Sequence, residues 1–368
     1  MVIYFLLFPM IAMIYLMTLL LRQKAQIQKT IFCVLTFGTL GFISASRASS
    51  VGTDVTLYEN IFKSINYGIS AENNWGYVIY NKLIGSVFGY TGHEITAANS
   101  VLITILIGIF IWKVAEHYFV ATFLYISLFY YATSFNISRQ FIAMGLVLVA
   151  ISFALDKKVM PWFILTVLAT LFHATAIVAF PVYWLTKVHW DVKKTLSIFP
   201  ITIFASFIFD AILNIFVRFF PHYEMYITGT QFNISDQGQG RVVLVKIFIL
   251  LILFTLFLFY KKSYALISEC HQSLIALTTV GLSIGIVFYN NILLNRIEMF
   301  YSILSIVFIP IAIDYISLKF KQKDAVRLML TIGILLITLV PYYIQVSGNY
   351  SGILPYVCLL YTSDAADD

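Results

Sequence analysis

Long apolar stretches separated by short polar ones recur along nearly the whole chain. Apolar runs of about 18 or more residues are long enough to cross the hydrocarbon core of a bilayer as helices. The pattern predicts twelve helical segments, at approximately 2–21, 30–46, 97–115, 118–135, 137–155, 159–172, 173–186, 195–217, 242–260, 272–290, 297–318 and 326–346. The predicted fold class is therefore all-α, a polytopic integral membrane protein.

The sixth and seventh segments adjoin each other, and each is short for a full crossing. Lysines precede the first and follow the second, which places both feet of the pair on the cytoplasmic side. We interpret 159–186 as a short, broken helical hairpin whose apex, Phe172-His173-Ala174, faces the outer side. Broken helices let membrane proteins place polar functional groups within the depth of the membrane.

Two connections between the predicted membrane segments are long enough to carry function, at about 47–96 and 218–241. The second half of the first is apolar and aromatic, which is typical of a segment lying in the membrane interface. Both are predicted to be outer-face loops of a single integral membrane domain, 1–357. Residues 358–368 end in a small, acidic run where another segment should continue, so we interpret them as a truncation or assembly scar.

Composition excludes an ordinary soluble domain. Of the 368 residues, 61% are hydrophobic and 11% are charged, and the mean hydropathy is +0.91, whereas soluble domains have about 25% charged residues. When the loop containing Arg22 is placed in the cytoplasm, most basic residues fall on that side, as the positive-inside bias requires.

Arginine is distributed differently from lysine. Most lysines fall on the predicted cytoplasmic side, whereas most arginines fall on the outer side. Arginine offers a planar fork of donors that matches phosphate or carboxylate oxygens, and it stays charged in a poorly hydrated site. The pattern favours an outward-facing site for an anionic ligand. The alternative is that these side chains only snorkel to the interface.

Arg139 and Gln140 stand at the outer start of the fifth segment, where the helix dipole favours an anion. They are candidates for binding phosphate, or else an anchor at the lipid headgroups. His173 is predicted on the same side at nearly the same depth, so we place it in the same active site. An imidazole there could donate to the anion or act as an acid or base; the alternative is simple packing.

Carboxylates of the first outer loop are the candidates for a catalytic base. Asp54, Glu59 and Glu72 lie in it, and a carboxylate can take the proton from an attacking hydroxyl. The alternative for each is a solvated loop charge.

A second group of charges lies later in the chain. Arg296 and Glu298 stand together at the outer start of the eleventh segment. Asp210 and Lys246 lie inside neighbouring segments near the outer side, and we expect them to neutralise each other because buried charges usually have partners.

Motifs of soluble enzymes are missing from the sequence, including a Gly-rich phosphate loop, a nucleophile elbow and an HExxH helix. No group of residues has the spacing of a metal site. We therefore expect no metal or other cofactor, and no nucleic-acid partner.

Four landmarks follow one another in a specific order. They are Gly52-Thr53-Asp54 with Tyr58, Glu72 ahead of Trp75-Gly76-Tyr77, Ser138-Arg139-Gln140 with Ala143, and Phe172-His173-Ala174 leading to Pro181. In this order they resemble EpsG-type, Wzy-like exopolysaccharide polymerases over roughly residues 45–190. One departure is Ala174-Thr175, where many relatives have serine and alanine.

The resemblance implies a GT-C or Wzy-like glycosyltransferase of the bacterial inner membrane, with its active site facing the periplasm. It would join oligosaccharide repeat units carried on undecaprenyl pyrophosphate into exopolysaccharide, capsule or O-antigen. The implied partners are polyprenyl-pyrophosphate-linked oligosaccharides, membrane lipid, and a flippase and chain-length regulator of the same pathway.

Within that activity the candidate residues take three roles. The catalytic candidates are Asp54, Glu72 and His173. The pyrophosphate-binding candidates are Arg47, Arg139, Gln140 and Arg296. The sugar-binding candidates, chosen because aromatic faces cover the C–H bonds of sugars, are Tyr58, Trp75, Tyr223 and Tyr226.

Two other functions stay open. A flippase of lipid-linked oligosaccharides needs a cationic cavity with alternating access, whereas the arginines here concentrate on one face. A membrane O-acyltransferase acting on polysaccharide could use an intramembrane histidine, but its acyl donor would come from the cytoplasm and His173 is predicted outside.

Overall fold

A computed structural model of the protein has helices at the apolar runs of the sequence. It describes residues 1–69, 72, 74–219, 240–260, 264–288 and 292–359. The α-helices are α1 (Val2–Leu20), α2 (Ala25–Ala45), α3 (Val55–Asn66), α4 (Trp75–Phe88), α5 (His93–Val114), α6 (Tyr118–Ser127), α7 (Tyr130–Thr133), α8 (Ser138–Leu155), α9 (Val159–Phe172), α10 (Val182–Leu185), α11 (Val192–Phe219), α12 (Gly240–Tyr260), α13 (Glu269–Val287), α14 (Ile292–Ser302), α15 (Ser305–Ser317) and α16 (Lys323–Ser347).

Seven of the helices in the described part of the chain are long and apolar enough to cross a membrane: α1, α2, α5, α8, α11, α13 and α16. An eighth span is formed if the pair α14 and α15, which meet at a bend of 45°, counts as one. The all-α, polytopic prediction is thus confirmed, while the count of twelve spans stays a prediction.

The remaining predicted segments are shorter or broken helices. The segment 118–135 is divided into α6 and α7 because Phe129 adopts a left-handed φ of +70°. Helix α9 has the predicted bounds, and after it the chain forms a 3-10 helix (Ala174–Ala179) before α10. His173, at the junction, has extended backbone.

The first predicted outer loop contains two helices, α3 and α4, and ends where α5 begins at His93. Most of the second, including Tyr223 and Tyr226, lies outside the described residues.

The chain forms two compact units. The first consists of Met1–Phe180 with Ile334–Asp368, and the second of Pro181–Gly333. In the first unit α8 is buried along almost its whole length and packs against α5 and α9. A Cβ atom at Gly145 of α8 would lie 2.7 Å from the Cβ of Leu106. Glycine therefore permits the close approach of these two helices, as is common between membrane helices.

The segment after α16 returns to the first unit. Tyr4 donates its hydroxyl to the carbonyl of Ile353 (2.9 Å), and Tyr356 donates to that of Ile43 (2.7 Å). The backbone of Cys358 pairs with that of Arg47. The segment 358–368, predicted to be a truncation or assembly scar, thus begins at a residue whose backbone pairs with Arg47. Residues 360–368 lie outside the described part.

The turn before α3 is held in place from two directions. The amide side chain of Asn136 accepts from the Thr53 backbone N–H (2.8 Å) and donates to the Ser351 carbonyl (2.8 Å). The Gly52 N–H donates to the Gly352 carbonyl (2.8 Å). Gly52 has a φ of +116°, a conformation that residues with a Cβ rarely adopt. These bonds fix Asp54 relative to the chain that leads into α8.

We expect Gly52→Ala to destabilise the first unit by at least about 1 kcal/mol, because the backbone is strained and the new Cβ must displace a neighbour. That atom would lie 2.8 Å from Asn136 Oδ1. The matched control is Gly38→Ala within α2, where a Cβ has nothing within 4 Å. The melting temperature in detergent should fall for the first variant and stay level or rise for the second. Equal melting temperatures for the two variants would contradict the requirement for glycine at position 52.

Candidate functional site

An ion pair joins the N-terminal start of α8 to the segment before α4. Arg139 Nη1 lies 2.6 Å from Glu72 Oε2, and the two side chains are 23% and 13% exposed. Glu72 Oε1 also accepts from the Asn74 backbone N–H (3.0 Å) and side-chain amide (2.6 Å). Arg139 is the second residue of α8, so the helix dipole adds to its positive potential.

The surroundings of Glu72 keep its carboxylate ionised. Partial burial alone would raise its pKa, but the hydrogen bonds from Asn74 and the charge of Arg139 together hold the pKa below its ordinary value. At neutral pH the charge of Arg139 is therefore balanced by Glu72. An anionic ligand that reaches Arg139 has to share it with Glu72 or displace the carboxylate.

Tyr77 of α4 lies beside this ion pair and is fully buried. The guanidinium carbon of Arg139 is 5.6 Å from the centre of the Tyr77 ring, within the range of a cation–π contact. Asn99 of α5 donates to the Tyr77 hydroxyl and to Ser138 Oγ, both at 3.4 Å. Tyr77 therefore connects α4 and α5 to the start of α8.

The end of α9 reaches the same place. The ring of Phe172 is 6.5 Å from that of Tyr77, and a Cβ at Gly76 would lie 2.8 Å from the Cβ of Leu171. His173, which is half-buried, follows Phe172 directly. The structure thus brings Glu72, Tyr77 and Arg139 together and places the backbone break at His173 next to them.

The other predicted residues of the first outer loop lie around this group. The ring of Tyr58 is 6.3 Å from that of Tyr77. Asp54 is half-buried at the start of α3 and accepts from Thr53 Oγ1 (3.1 Å). Trp75, the first residue of α4, is 74% exposed. Gln140, beside Arg139, is buried.

Arg47 is enclosed by the protein, with only 2% of its surface exposed. Its Nη1 donates to Ser44 Oγ (2.8 Å), the Ser44 carbonyl and Ser100 Oγ (2.6 Å). Its guanidinium carbon lies 4.5 Å from the centre of the Phe135 ring. The contacts join α2, α5 and the segment before α8.

The second unit contains another buried pair. Lys246 Nζ lies 3.2 Å from Glu298 Oε2 and donates to Asn295 Oδ1 (3.4 Å). Both charged side chains are buried. Among the described side chains, Lys246 therefore pairs with Glu298, while the side chain of Asp210, its predicted partner, lies outside the described part. Arg296 is half-buried on α14.

One pair of polar residues was not anticipated from the sequence. Glu59 of α3 is buried and accepts from Ser49 Oγ (2.7 Å) and Thr96 Oγ1 (2.9 Å). His93, the first residue of α5, places Nδ1 3.9 Å from Glu59 Oε1. The two residues are far apart in sequence and share no motif, so only the packing of α3 against α5 reveals the pair.

An apolar groove of about 690 Å³ runs between α2 and α5 on the first unit. Its walls include Val34, Phe42, Val101, Ile105 and Trp112. The end of the groove at Ala45 and Val101 lies next to Ser44 and Ser100, which hold Arg47.

The model of the EpsG family matches residues 30–358, which confirms the resemblance stated for residues 45–190 and extends it. No curated protein and no solved structure matches the chain.

We expect Glu72→Gln to destabilise the protein at neutral pH by about 1.5–3 kcal/mol, because hydrogen bonds to charged groups contribute that much. The pKa of Glu72 is lower in the folded protein. Its contribution is therefore present above the unfolded pKa of about 4.3 and is lost as the pH falls through the folded value.

The melting temperatures of wild type and Glu72→Gln in detergent, measured from pH 8 down to pH 3, test this. The difference should be constant near neutrality and shrink in acid. Asp324→Asn is the control, because its ion pair with Arg327 (2.9 Å) is largely exposed and such pairs contribute little. An equally large effect of both substitutions would contradict the assignment.

Proposed function

Because the chain belongs to the EpsG family of polysaccharide polymerase-like membrane proteins, we propose that it is a glycosyltransferase acting on lipid-linked oligosaccharides. It joins repeat units carried on undecaprenyl pyrophosphate into exopolysaccharide, capsule or O-antigen. The reaction takes place at the periplasmic face of a bacterial inner membrane. The observation that carries the proposal is the part-exposed Arg139 at the start of α8, with Glu72 and Tyr77 around it.

The reaction requires a positive site for the leaving group. A hydroxyl of the acceptor unit attacks the anomeric carbon of the donor chain, and the bond from that carbon to the pyrophosphate oxygen breaks. Negative charge develops on the pyrophosphate as it leaves. Arg139 and the N-terminal end of α8 are placed to stabilise that charge. His173, at the adjacent break after α9, assists at the pyrophosphate.

The other arginines have different parts in the proposal. Arg47 donates to other groups of the protein and is enclosed. Its proposed part is to hold in position the helices that it joins. Arg296 is the pyrophosphate-binding candidate of the second unit. Gln140 supports Arg139 from its buried position on α8.

Aromatic residues supply the sugar-binding surface. Trp75 is exposed at the start of α4, and Tyr58 lies beside Tyr77. Flat aromatic faces with polar edges suit sugar rings. Tyr223 and Tyr226 of the second predicted outer loop stay sugar-binding candidates from the sequence, and Asp54 and Glu72 are the carboxylate candidates for the base.

The lipid part of the substrate needs an apolar path. The groove between α2 and α5 is proposed to hold the polyprenyl chain, since its walls are apolar and its end at Ala45 lies at the level of Arg47. A flippase that delivers the units and a regulator of chain length are the proposed partners.

Incubation of the purified protein with polyprenyl-pyrophosphate-linked oligosaccharides extracted from the source cells tests the function. We expect a ladder of longer glycans. Transfer of the lipid across a vesicle membrane without a ladder would support a flippase instead, and appearance of acyl groups on the glycan would support an O-acyltransferase.

We expect Arg139→Lys to lower the rate of ladder formation about tenfold or more, because lysine keeps the charge but loses the planar fork of donors. Loss of one donor to a developing anion commonly costs about 100-fold or more in rate. Arg327→Lys is the control, since its exposed ion pair lies outside the site. Unchanged ladder formation by Arg139→Lys would refute paired donation to the pyrophosphate.

A further inference from the structure

We propose that Tyr77 is a positioning residue for Arg139, and that its ring holds the guanidinium while a phosphate takes the position of the Glu72 carboxylate. The inference rests on the proposed function, because the phosphate belongs to the leaving pyrophosphate of the transfer. Tyr77 lies on α4, Arg139 at the start of α8, and Glu72 in the segment before α4.

Glu72 and Tyr77 contact Arg139 in different ways. Glu72 Oε2 accepts from Arg139 Nη1 at 2.6 Å, so the carboxylate uses an N–H donor. The centre of the Tyr77 ring lies 5.6 Å from the guanidinium carbon, and a cation–π contact attracts the charge without using a donor. A phosphate that replaces Glu72 therefore competes with the carboxylate and not with the ring.

Arg139 keeps donors for such a ligand. A guanidinium presents several N–H groups in a planar fork. Arg139 Nη1 bonds to Glu72, while Nε has no hydrogen-bond partner among the described residues. The side chain as a whole is 23% exposed. A phosphate group offers more acceptor oxygens than the one carboxylate oxygen at Nη1, so it can bond to donors that Glu72 does not use.

The exchange requires a contact that remains when Glu72 is displaced. An arginine side chain is long and loses much rotamer entropy when it is fixed. If Glu72 alone fixed the guanidinium, displacement of the carboxylate would free the side chain, and the ligand would have to order it again. The Tyr77 ring reduces that entropic penalty, because its contact with the charge does not depend on Glu72.

The Tyr77 ring is itself fixed on several sides. It is fully buried, and rings of α3 and α9 contact it, with centres at 6.3 Å for Tyr58 and 6.5 Å for Phe172. The side-chain amide of Asn81, one turn further along α4, donates to the Tyr77 carbonyl (2.6 Å). The ring therefore has little freedom to turn away from Arg139, and its removal from water strengthens the attraction for the cation.

Asn99 of α5 ties the ring to the start of α8. Its side-chain nitrogen lies 3.4 Å from the Tyr77 hydroxyl and 3.4 Å from Ser138 Oγ. Ser138 is the first residue of α8 and directly precedes Arg139. The position of the ring relative to Arg139 therefore depends on the packing of α4, α5 and α8, and not on Glu72.

Fluorination of the ring at position 77 tests the role without removing the side chain. Fluorine atoms withdraw electron density from an aromatic face and weaken its attraction for a cation, while the shape of the ring changes little. The variants are Tyr77→Phe and the same substitution with increasing numbers of fluorine atoms on the ring. A ring that only fills space would give the same kcat throughout this series.

We expect kcat for ladder formation by the purified full chain, with the extracted lipid-linked oligosaccharides, to fall stepwise along the series. The fully fluorinated ring should lower kcat about tenfold relative to Tyr77→Phe, within the range of a desolvated cation–π contact. KM should change by less than about threefold, because the charge on the pyrophosphate is largest as it leaves.

The matched control is the same series at Tyr342, which is also buried in the first unit and contacts the rings of Phe5 and Phe8. Its hydroxyl donates to the Tyr4 carbonyl (3.1 Å), so the change to phenylalanine removes a hydroxyl contact at both positions. The Tyr342 variants should keep kcat within about threefold of wild type, because effects at separate sites are independent. A kcat that does not change with fluorination at position 77, or equal falls at both positions, would overturn the positioning role while leaving the polymerase intact.

Binding of inorganic pyrophosphate to the purified full chain separates this inference from the proposed function. Its Kd, measured by isothermal titration calorimetry, should rise about threefold or more along the Tyr77 series. In Glu72→Gln the Kd should fall, because the competing carboxylate is removed. A wild type that forms no ladder, yet binds pyrophosphate with a Kd that follows the series, would overturn the proposed function and keep the role of Tyr77 toward an anion. Absence of pyrophosphate binding, or a Kd for Glu72→Gln equal to or above that of wild type, would overturn the exchange.

Discussion

The structure depends on one constraint of the membrane, that a charge removed from water must be given partners within the protein. Arg47 satisfies the constraint through several partners. Two serines, a backbone carbonyl and the face of Phe135 surround its guanidinium, so the charge becomes a joint between helices. Lys246 and Glu298 satisfy it with each other in the second unit.

Arg139 satisfies the same constraint in a way that leaves room for a ligand. Its partner Glu72 lies in a connecting segment rather than on a buried helix, and both side chains keep some exposure. The enclosed Arg47 has both terminal nitrogens bonded to groups of the protein, whereas an arginine balanced by one carboxylate near the surface can exchange that carboxylate for a phosphate. The difference between Arg47 and Arg139 is therefore one of partners, although both are arginines predicted on the outer side.

Sequence patterns predicted the helices well and the roles of charges only in part. Apolar runs located α9 to the residue, because its end is marked by a histidine after a run of uncharged, mostly apolar residues. They could not show that Phe129 breaks the fourth segment, since a left-handed φ at a phenylalanine is imposed by packing. They did not reveal that Lys246 pairs with Glu298, because the partner of a buried charge depends on which helices meet. The proximity of Arg139 to the end of α9 was predicted from sidedness, whereas the pairing of Glu59 with His93 required the packing of α3 against α5.

Glu59 and Glu72 show two ways in which the first unit accommodates a carboxylate away from water. Glu59 accepts from Ser49 Oγ and Thr96 Oγ1, with His93 Nδ1 3.9 Å away. Glu72 is instead held by Asn74 and by the charge of Arg139. Because like charges in a poorly hydrated site repel strongly, two carboxylates are held more easily at separate positions, each with its own partners. Helix α5 contributes to both positions, since Thr96 contacts Glu59 and Asn99 contacts Tyr77 and Ser138 beside Arg139.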